Sequence, residues 1–502
     1  MASTRPLVER IRSLGDFAQL LSQEISAQDA QIQITGLTAD SAAVEPGDLF
    51  VALPGAHRHG AEFIEQAIVA GAVALLSDGD GARINDHRLP QIIIDSPRNQ
   101  LGEIAAWFYG HCAQSMVAIG ITGTNGKTTT ASLLKQMWNL AQRQAGYIGT
   151  TGIEIGSDCI PARFTTPEAP ELQQILGSMA ERHITHMVME VSSHALEQKR
   201  MIGTHFSYVA FTNLTQDHLD FHGTMENYFQ AKKRLFTVEY GDQALINIDD
   251  PYGARLVELA EIPVTTISRN NRKANWHYIT TEQEQTGYRV AIRGIGGILI
   301  ESFLPLIGDH NLDNALLAIA LAVETGVDPL FIAQILPMLK GVRGRLEPVS
   351  LGQDFVALVD FAHTPDAVER TLSTLRKSVE GKLIGVLGCG GDRDRSKRPV
   401  MGKALAQGCD ISIYTSDNPR SEDPQAILDE MVGGLTLDEN SYVSVDRRAA
   451  IALAVTMADP GDCIVLLGKG HELGQEINGV KYPFDDAQEL ARAIEELAGG
   501  SR

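Results

Sequence analysis

The chain has 502 residues, 44% of them hydrophobic and 21% charged, a balance found in folded globular proteins and not in disordered or fibrous ones. That length exceeds one ordinary hydrophobic core and predicts three or four domains. The formal net charge of -21, with no long Lys/Arg block, argues against a nucleic-acid partner, because phosphate contacts need neutralising cations.

The opening residues carry no apolar segment of the secretory kind, and the apolar stretches at 67–76 and 312–323 are shorter than a bilayer span. The expectation is a cytoplasmic protein without membrane contact. Five cysteines, an odd number with no CxxC pair, fit reduced thiols better than a disulfide framework.

Short β-branched runs recur along the chain at 49–53, 91–94, 116–122, 186–191, 208–212, 244–248, 356–360, 383–387, 411–415 and 463–467. They alternate with helical patterns, which predicts an α/β architecture of parallel-type sheets with helices on their faces. Ligands of such sheets collect beyond the carboxyl ends of strands, where the polar motifs of this chain lie. Motif clustering places domain boundaries near 98 and 343, giving expected domains 1–97, 98–342 and 343–502.

The run 116–122 reads as a buried strand, Gly123-Thr124-Asn125-Gly126-Lys127-Thr128-Thr129 as a loop, and 130–140 as a helix. Glycines allow backbone N–H groups to turn towards an anion, and the helix N-terminus adds partial positive charge. Lys127 can reach terminal phosphates, and a hydroxyl of Thr128 or Thr129 can meet Mg²⁺. The spacing is shorter than the standard Walker pattern, which would place glycine at Ile121.

This loop resembles that of the Mur ligases and their folylpolyglutamate synthase relatives, and further matching runs follow in order. They are Glu190-Val191-Ser192-Ser193-His194, the stretch from Asn213 to Gly223, Tyr228 to Lys232, Asn247 to Asp250, Gly308-Asp309-His310-Asn311, Gly344-Arg345-Leu346-Glu347, and Asp360 to Asp366. In the last third, Gly390-Gly391-Asp392-Arg393-Asp394, Asp417-Asn418-Pro419-Arg420 and Gly468-Lys469-Gly470-His471-Glu472 resemble the diaminopimelate-adding branch of the Mur ligase family.

The resemblance implies three domains: an N-terminal one for a UDP sugar, a central ATPase and a C-terminal one of dinucleotide-binding type. It implies ATP-dependent addition of meso-diaminopimelate to UDP-N-acetylmuramoyl-L-alanyl-D-glutamate through an acyl phosphate, in cell-wall precursor synthesis, by a monomer. Addition of L-lysine, or folylpolyglutamate synthesis, remains an alternative within the class. A nucleotide switch is disfavoured because no Asn-Lys-x-Asp run is present.

The residue roles implied by resemblance follow the substrates. ATP is assigned to Gly123 through Thr129 with Asn311, Arg345 and Asp360. Mg²⁺ is assigned to Thr128, Glu190, His218 and a carbamylated Lys232, with Lys127 also catalytic. The UDP substrate is assigned to Ser41, Thr165, Thr166, Ser192, Gln198 and Arg200. For diaminopimelate the positions are Arg393, Asp417, Asn418, Pro419, Arg420, Gly468 and Glu472. Its second carboxylate, absent from lysine, calls for an arginine able to grip two oxygens, and Arg420 fits that demand. His218 and His222, four apart, could instead present zinc ligands on a helix, but no third ligand is evident. Ser192-Ser193-His194 lacks the Gly-x-Ser-x-Gly elbow of a serine nucleophile.

Overall fold

A computed structural model of the chain describes residues 4–8, 10–55, 58–284 and 287–500, so the first three residues of the opening segment lie outside the described part. Three main sheets succeed one another along the chain, each wrapped by its own helices. The first has four parallel strands, Gly36–Thr38, Asp48–Ala52, Ala74–Ser77 and Gln91–Ile93, in sequential order. The run Leu49, Phe50, Val51 and Ala52 is almost wholly buried because alternate side chains enter cores on opposite faces.

Eleven strands form the central sheet, and seven at its middle are parallel, including Val117–Thr122, His186–Glu190, Phe206–Phe211 and Gly241–Asn247. Antiparallel strands extend both edges: Gly152–Ile155 and Asp158–Ile160 on one side, Gly287–Arg293 and Leu299–Leu304 on the other. The long Asp309–Glu324 helix is apolar almost all round, from Leu312 through Ala322, since it is enclosed between the Lys127–Leu140 helix and the sheet.

The third sheet has six strands, and only the pairing of Glu347–Pro348 with Val356–Asp360 is antiparallel. Cys463–Leu467 runs through its middle, fully buried. A small hairpin, Gly474–Ile477 with Val480–Pro483, folds back beside the strand ends. Arg447 and Asp486, both wholly buried, pair at 2.6 Å, and Arg447 also donates to the carbonyls of Ser416 and Leu467. A paired and fully bonded charge is the form in which burial is tolerated.

All ten runs expected as strands are strands, shifted at their ends by up to three residues. The phosphate-loop helix starts at Lys127, three residues earlier than the sequence suggested, because left-handed Gly126 (φ +85°) lets helical geometry begin at once. Helix Pro97–Tyr109, which the expected boundary at 98 assigned to the central domain, sends Leu101, Ile104, Ala105 and Phe108 into the N-terminal core. It also packs against the Ala169–Glu181 helix of the central part.

Candidate active site

Strand Val117–Thr122 ends beneath the phosphate loop, and both loop glycines are fixed by crowding. A Cβ on Gly123 would lie 1.9 Å from Thr212 Oγ1, and one on Gly126 2.2 Å from Asn314 Oδ1. The Asn213 carbonyl accepts from Thr124 N at 2.9 Å, Asn213 Oδ1 accepts from Asn125 N at 3.0 Å, and Thr212 Oγ1 donates to the Asn125 carbonyl at 2.6 Å. The loop is thereby held open with the first helical turn facing outward. Among the described residues no protein acceptor faces the N–H groups of Lys127, Thr128 and Thr129, as an anion site at a helix start requires.

Lys127 curls over the loop and donates to the carbonyls of Gly123 (2.8 Å) and Thr124 (3.0 Å). Burial pushes its pKa below the usual lysine range, with Glu190 opposing. Thr128 Oγ1 donates to Glu190 Oε2 at 3.0 Å. Glu190 is wholly buried at the end of its strand. Its Oε1 accepts from Tyr147 Oη at 2.5 Å and Thr150 N at 3.0 Å, and Oε2 also accepts from Thr150 Oγ1 at 3.1 Å.

Lys232, near the end of helix Met225–Lys233, is 1% exposed and donates to the Gly123 carbonyl at 2.9 Å, with its ammonium 4.7 Å from the Tyr228 ring centre. Burial pushes its pKa far below the usual value, and Lys127 adds repulsion. A neutral amine there is a nucleophile for CO₂, and a carbamate would supply an oxygen ligand. Burial also lowers the His218 pKa to about 4, leaving a neutral imidazole able to ligate a metal. Thr128, Glu190 and a carbamate offer the hard oxygens that Mg²⁺ prefers. Among the described residues no three or more His, Cys, Asp and Glu side chains gather as a metal cluster.

His218 and His222 do not face one site. His218 stands left-handed (φ +53°) before the short Leu219–His222 helix and lines a cleft. His222 is buried and bonds Ser193 Oγ at 2.9 Å. Ser192 caps the following helix by accepting from Ala195 N, and its hydroxyl accepts from Thr166 at 3.3 Å.

Three clefts surround this region, and the first and third share Phe361 and His363 in their walls. The first, about 850 Å³, lies between the phosphate loop and the third domain. Asn125, Thr128, Thr129, Asn311, Arg345 and Asp360 all line it. Asp360 accepts from Leu346 N at 2.8 Å and Ala362 N at 2.9 Å. That clamp fixes Leu346 in a left-handed conformation (φ +46°) and sets the adjacent Arg345 over the Phe361 ring at 4.6 Å. No carboxylate pairs with Arg345 among the described residues, so its charge remains available to an anion.

A second cleft, about 1710 Å³, is lined by Ser41 together with Arg98, Arg163, Phe164 and Glu168. Of the six residues expected around the UDP substrate, Ser41 lies on this wall. The other five lie on the central-domain side. Arg200 bonds Gln198 Oε1 at 2.5 Å, the Thr166 carbonyl at 2.9 Å and Glu168 at 3.0 Å. Thr165 Oγ1 lies 3.1 Å from Thr150 Oγ1, which in turn holds Glu190. A continuous polar path therefore joins the second cleft to Glu190.

The third cleft, about 1310 Å³, brings Arg393, Asp417, Asn418, Arg420, Gly468 and Glu472 together with His194, Asp217 and His218 of the central domain. Arg420 is left-handed (φ +51°), held by its N–H to the Glu476 carbonyl at 2.9 Å and by Nη1 to the Gly391 carbonyl at 2.6 Å. Pro419 does not line the cleft; its backbone packs on Gly391, where a Cβ would lie 1.9 Å from the Pro419 carbonyl. Lys397 crosses between domains to Asp217 at 2.8 Å. Burial alone would raise the Asp217 pKa, but His218, His363 and Lys397 hold it below the usual range. His194 and Asp217 stood inside motifs already singled out; Lys397 had no separable signal within the basic run 393–398.

Comparison with known proteins adds the following. Residues 33–109 match the Mur ligase family, catalytic domain, residues 121–322 the Mur ligase middle domain, and residues 344–470 the Mur ligase, glutamate ligase domain. The UDP-N-acetylmuramoyl-L-alanyl-D-glutamate–2,6-diaminopimelate ligase of Streptomyces coelicolor is 46% identical over 504 residues, covering 99% of this chain and 98% of its own. The ligase of the same description from Corynebacterium efficiens is 41% identical, covering 96% and 94%. A solved structure of a ligase so described superposes with a TM-score of 0.68 at 34% identity, covering 96% of this chain and 99% of that one. Mycobacterium tuberculosis folylpolyglutamate synthase gives a TM-score of 0.61 at 19% identity, covering 74% and 92%, a likeness of fold.

Proposed function

The chain belongs to the Mur ligase family, and from that premise we propose that it joins meso-diaminopimelate to UDP-N-acetylmuramoyl-L-alanyl-D-glutamate at the expense of ATP, in peptidoglycan precursor synthesis. The carrying observation is the third cleft, where Arg393, Asn418, Arg420 and Glu472 open directly onto His218 and Asp217 beside the phosphate loop. An amino-acid site thus adjoins the nucleotide site.

In the reaction, a glutamyl carboxylate oxygen attacks the γ-phosphorus and ADP leaves. The amine of the acceptor then attacks the acyl carbon, the C–N bond forms, the C–O bond to phosphate breaks, and nitrogen loses a proton. The protein needs no nucleophile of its own; it aligns reactants and neutralises charge. The free N–H groups of the first helical turn receive phosphate oxygens, which displace the Lys127 ammonium from its own loop carbonyls. Arg345, which carries no salt bridge among the described residues, sits across the same cleft to meet charge on the moving phosphoryl group.

Thr128, Glu190, His218 and carbamylated Lys232 would hold Mg²⁺, which when bound offsets phosphate charge. The carbamate adds the oxygen that the unmodified side chains lack. Ser41, Thr165, Thr166, Ser192, Gln198 and Arg200 lie along the path assigned to the UDP substrate. In the third cleft Arg420 Nη2 has no protein acceptor among the described residues, and that leaves it for the distal carboxylate. Glu476 Oε2 lies 3.7 Å from Arg420 Nε, so L-lysine would leave the Nη2 end of the guanidinium without an acceptor, which favours diaminopimelate over the lysine alternative. The reading also includes action as a cytoplasmic monomer. Among the described residues no helix is long and apolar enough to cross a membrane.

Phosphate release with ATP and the UDP-dipeptide tests the reaction. Release that requires meso-diaminopimelate supports it, and release independent of any acceptor contradicts it.

A further inference from the structure

Lys469 is 0% exposed and stands just beyond the central strand of the third sheet. Its ammonium is within reach of four acceptors: the Gly474 carbonyl at 2.8 Å, Glu472 Oε2 at 3.1 Å, Asn418 Oδ1 at 3.2 Å and Asp417 Oδ1 at 3.3 Å. It does not line the third cleft, so it cannot touch a ligand there. Every side chain it holds does line the cleft.

An asparagine amide can be turned either way, and its bonding partners decide the orientation. Here Asn418 Oδ1 accepts from Lys469 and from Glu476 N at 3.0 Å. Its Nδ2 must then point the other way, donating to Glu472 Oε2 at 2.7 Å and Asp417 Oδ1 at 3.0 Å. With Oε2 bound by Asn418 and Lys469, Glu472 Oε1 is left without a protein partner among the described residues. Around Lys469 itself one buried cation faces two carboxylates, so the Asp417–Glu472 corner of the cleft is the acidic one, the complement of an ammonium. The same hairpin supplies Glu476, whose carbonyl holds the backbone of Arg420. The anion-accepting and cation-accepting ends of the cleft are therefore built on one frame.

We propose that Lys469 is a positioning residue for the acceptor amino acid. From outside the cleft it fixes the Asn418 amide and the Glu472 carboxylate so that Glu472 Oε1 meets the distal ammonium while Arg420 meets the distal carboxylate. The inference rests on the ligase reading given above. Without the Lys469 charge, Asp417 and Glu472 repel each other, and the Asn418 amide keeps only Glu476 N as a donor to its Oδ1 while its Nδ2 must follow two carboxylates that are no longer held together.

Steady-state kinetics on Lys469→Met and Lys469→Gln, with thermal melts alongside, test it. Both are unbranched, and the glutamine keeps a donor without the charge. The expected result is a KM for meso-diaminopimelate raised about tenfold or more, with the KM for ATP within about twofold of wild type. The double variant Lys469→Met with Asn418→Ala should be less than additive in that KM, because one residue acts through the other. An unchanged acceptor KM in a folded variant, full additivity, or failure of both variants to fold would each overturn the positioning role. If the wild type releases no phosphate with meso-diaminopimelate, the ligase reading fails first and takes this inference with it.

Discussion

Tyr147 donates its hydroxyl to Glu190 Oε1 at 2.5 Å, while Thr128 donates to Oε2 of the same carboxylate. Burial raises the Tyr147 pKa well above the usual phenol value, with the Glu190 charge adding to it, so the proton stays on the phenol. Tyr147 and Thr150 N thus occupy Oε1, whereas Oε2 is held, among the described residues, only by the rotatable hydroxyls of Thr128 and Thr150, which can turn aside for a cation. Tyr147→Phe removes one hydrogen bond to a charged group and should weaken divalent-cation binding about tenfold. Titration with Mn²⁺ followed by electron paramagnetic resonance measures this directly, and an unchanged dissociation constant would contradict it.

Lys232 is the clearest test of the carbamate. Burial pushes its pKa far below the usual lysine value, which favours the neutral amine that reacts with CO₂, and CO₂ uptake near neutral pH is expected. A carbamate carbon signal in ¹³CO₂-equilibrated protein is expected, reversed on degassing and absent from Lys232→Arg. Its persistence in the arginine variant would place the modification elsewhere.

Lys397 and Asp217 join the third domain to the central one at 2.8 Å, half-buried beside His218. Lys397→Ala should weaken the contact between the two domains and favour a more open arrangement, enlarging the radius of gyration in small-angle scattering and lowering kcat/KM by about tenfold. Scattering and kinetics identical to wild type would show that the pair contributes nothing to closure.

His186 lies far from the clefts, against Trp138 and 3.0 Å from Arg143. Burial, aided by Arg143, lowers its pKa to about 4, while the unfolded value is about 6.5. Between those values the unfolded chain binds more protons, so stability rises with pH across the window and is lost as pH falls from about 6.5 towards 4. His186→Gln should flatten the decline of the urea midpoint between roughly pH 7 and 5. An unaltered slope would assign that acid sensitivity to other groups.

Much of this was legible because parallel strands buried on both faces write themselves as short apolar runs, and motifs sit at their ends. The phosphate loop was visible for that reason, while Arg420 and Glu472 came from the resemblance of the motifs beyond two such strands to the Mur ligase family. The side of the central sheet where pairing turns from parallel to antiparallel was not visible. Strand 276–284 has a buried start and an exposed end, which gives no sustained apolar run. The hairpin that holds Arg420 is short, with one half-buried and one exposed strand. Partnerships were invisible too: Tyr147 with Glu190 spans 43 residues and Lys397 with Asp217 spans 180, and only the folded chain brings them together. Lys469 stood in plain view in its motif, but nothing in the sequence separates a buried orienting lysine from a loop lysine.

In the proposed reading Arg420 carries the choice of acceptor, and its left-handed backbone is held by the hairpin behind it. Arg420→Ala should lower kcat/KM for meso-diaminopimelate about a hundredfold, the scale for a charge-assisted pair, and leave the KM for ATP unchanged. A comparable loss of ATP binding would indicate a disrupted domain instead.

The most direct measurement is a competition: ATP, the UDP-muramoyl dipeptide and equal concentrations of meso-diaminopimelate and L-lysine, with the product identified by mass spectrometry. A product carrying diaminopimelate almost exclusively is expected. Equal incorporation of lysine would contradict the role of Arg420, and no amide product at all would contradict the ligase reading itself.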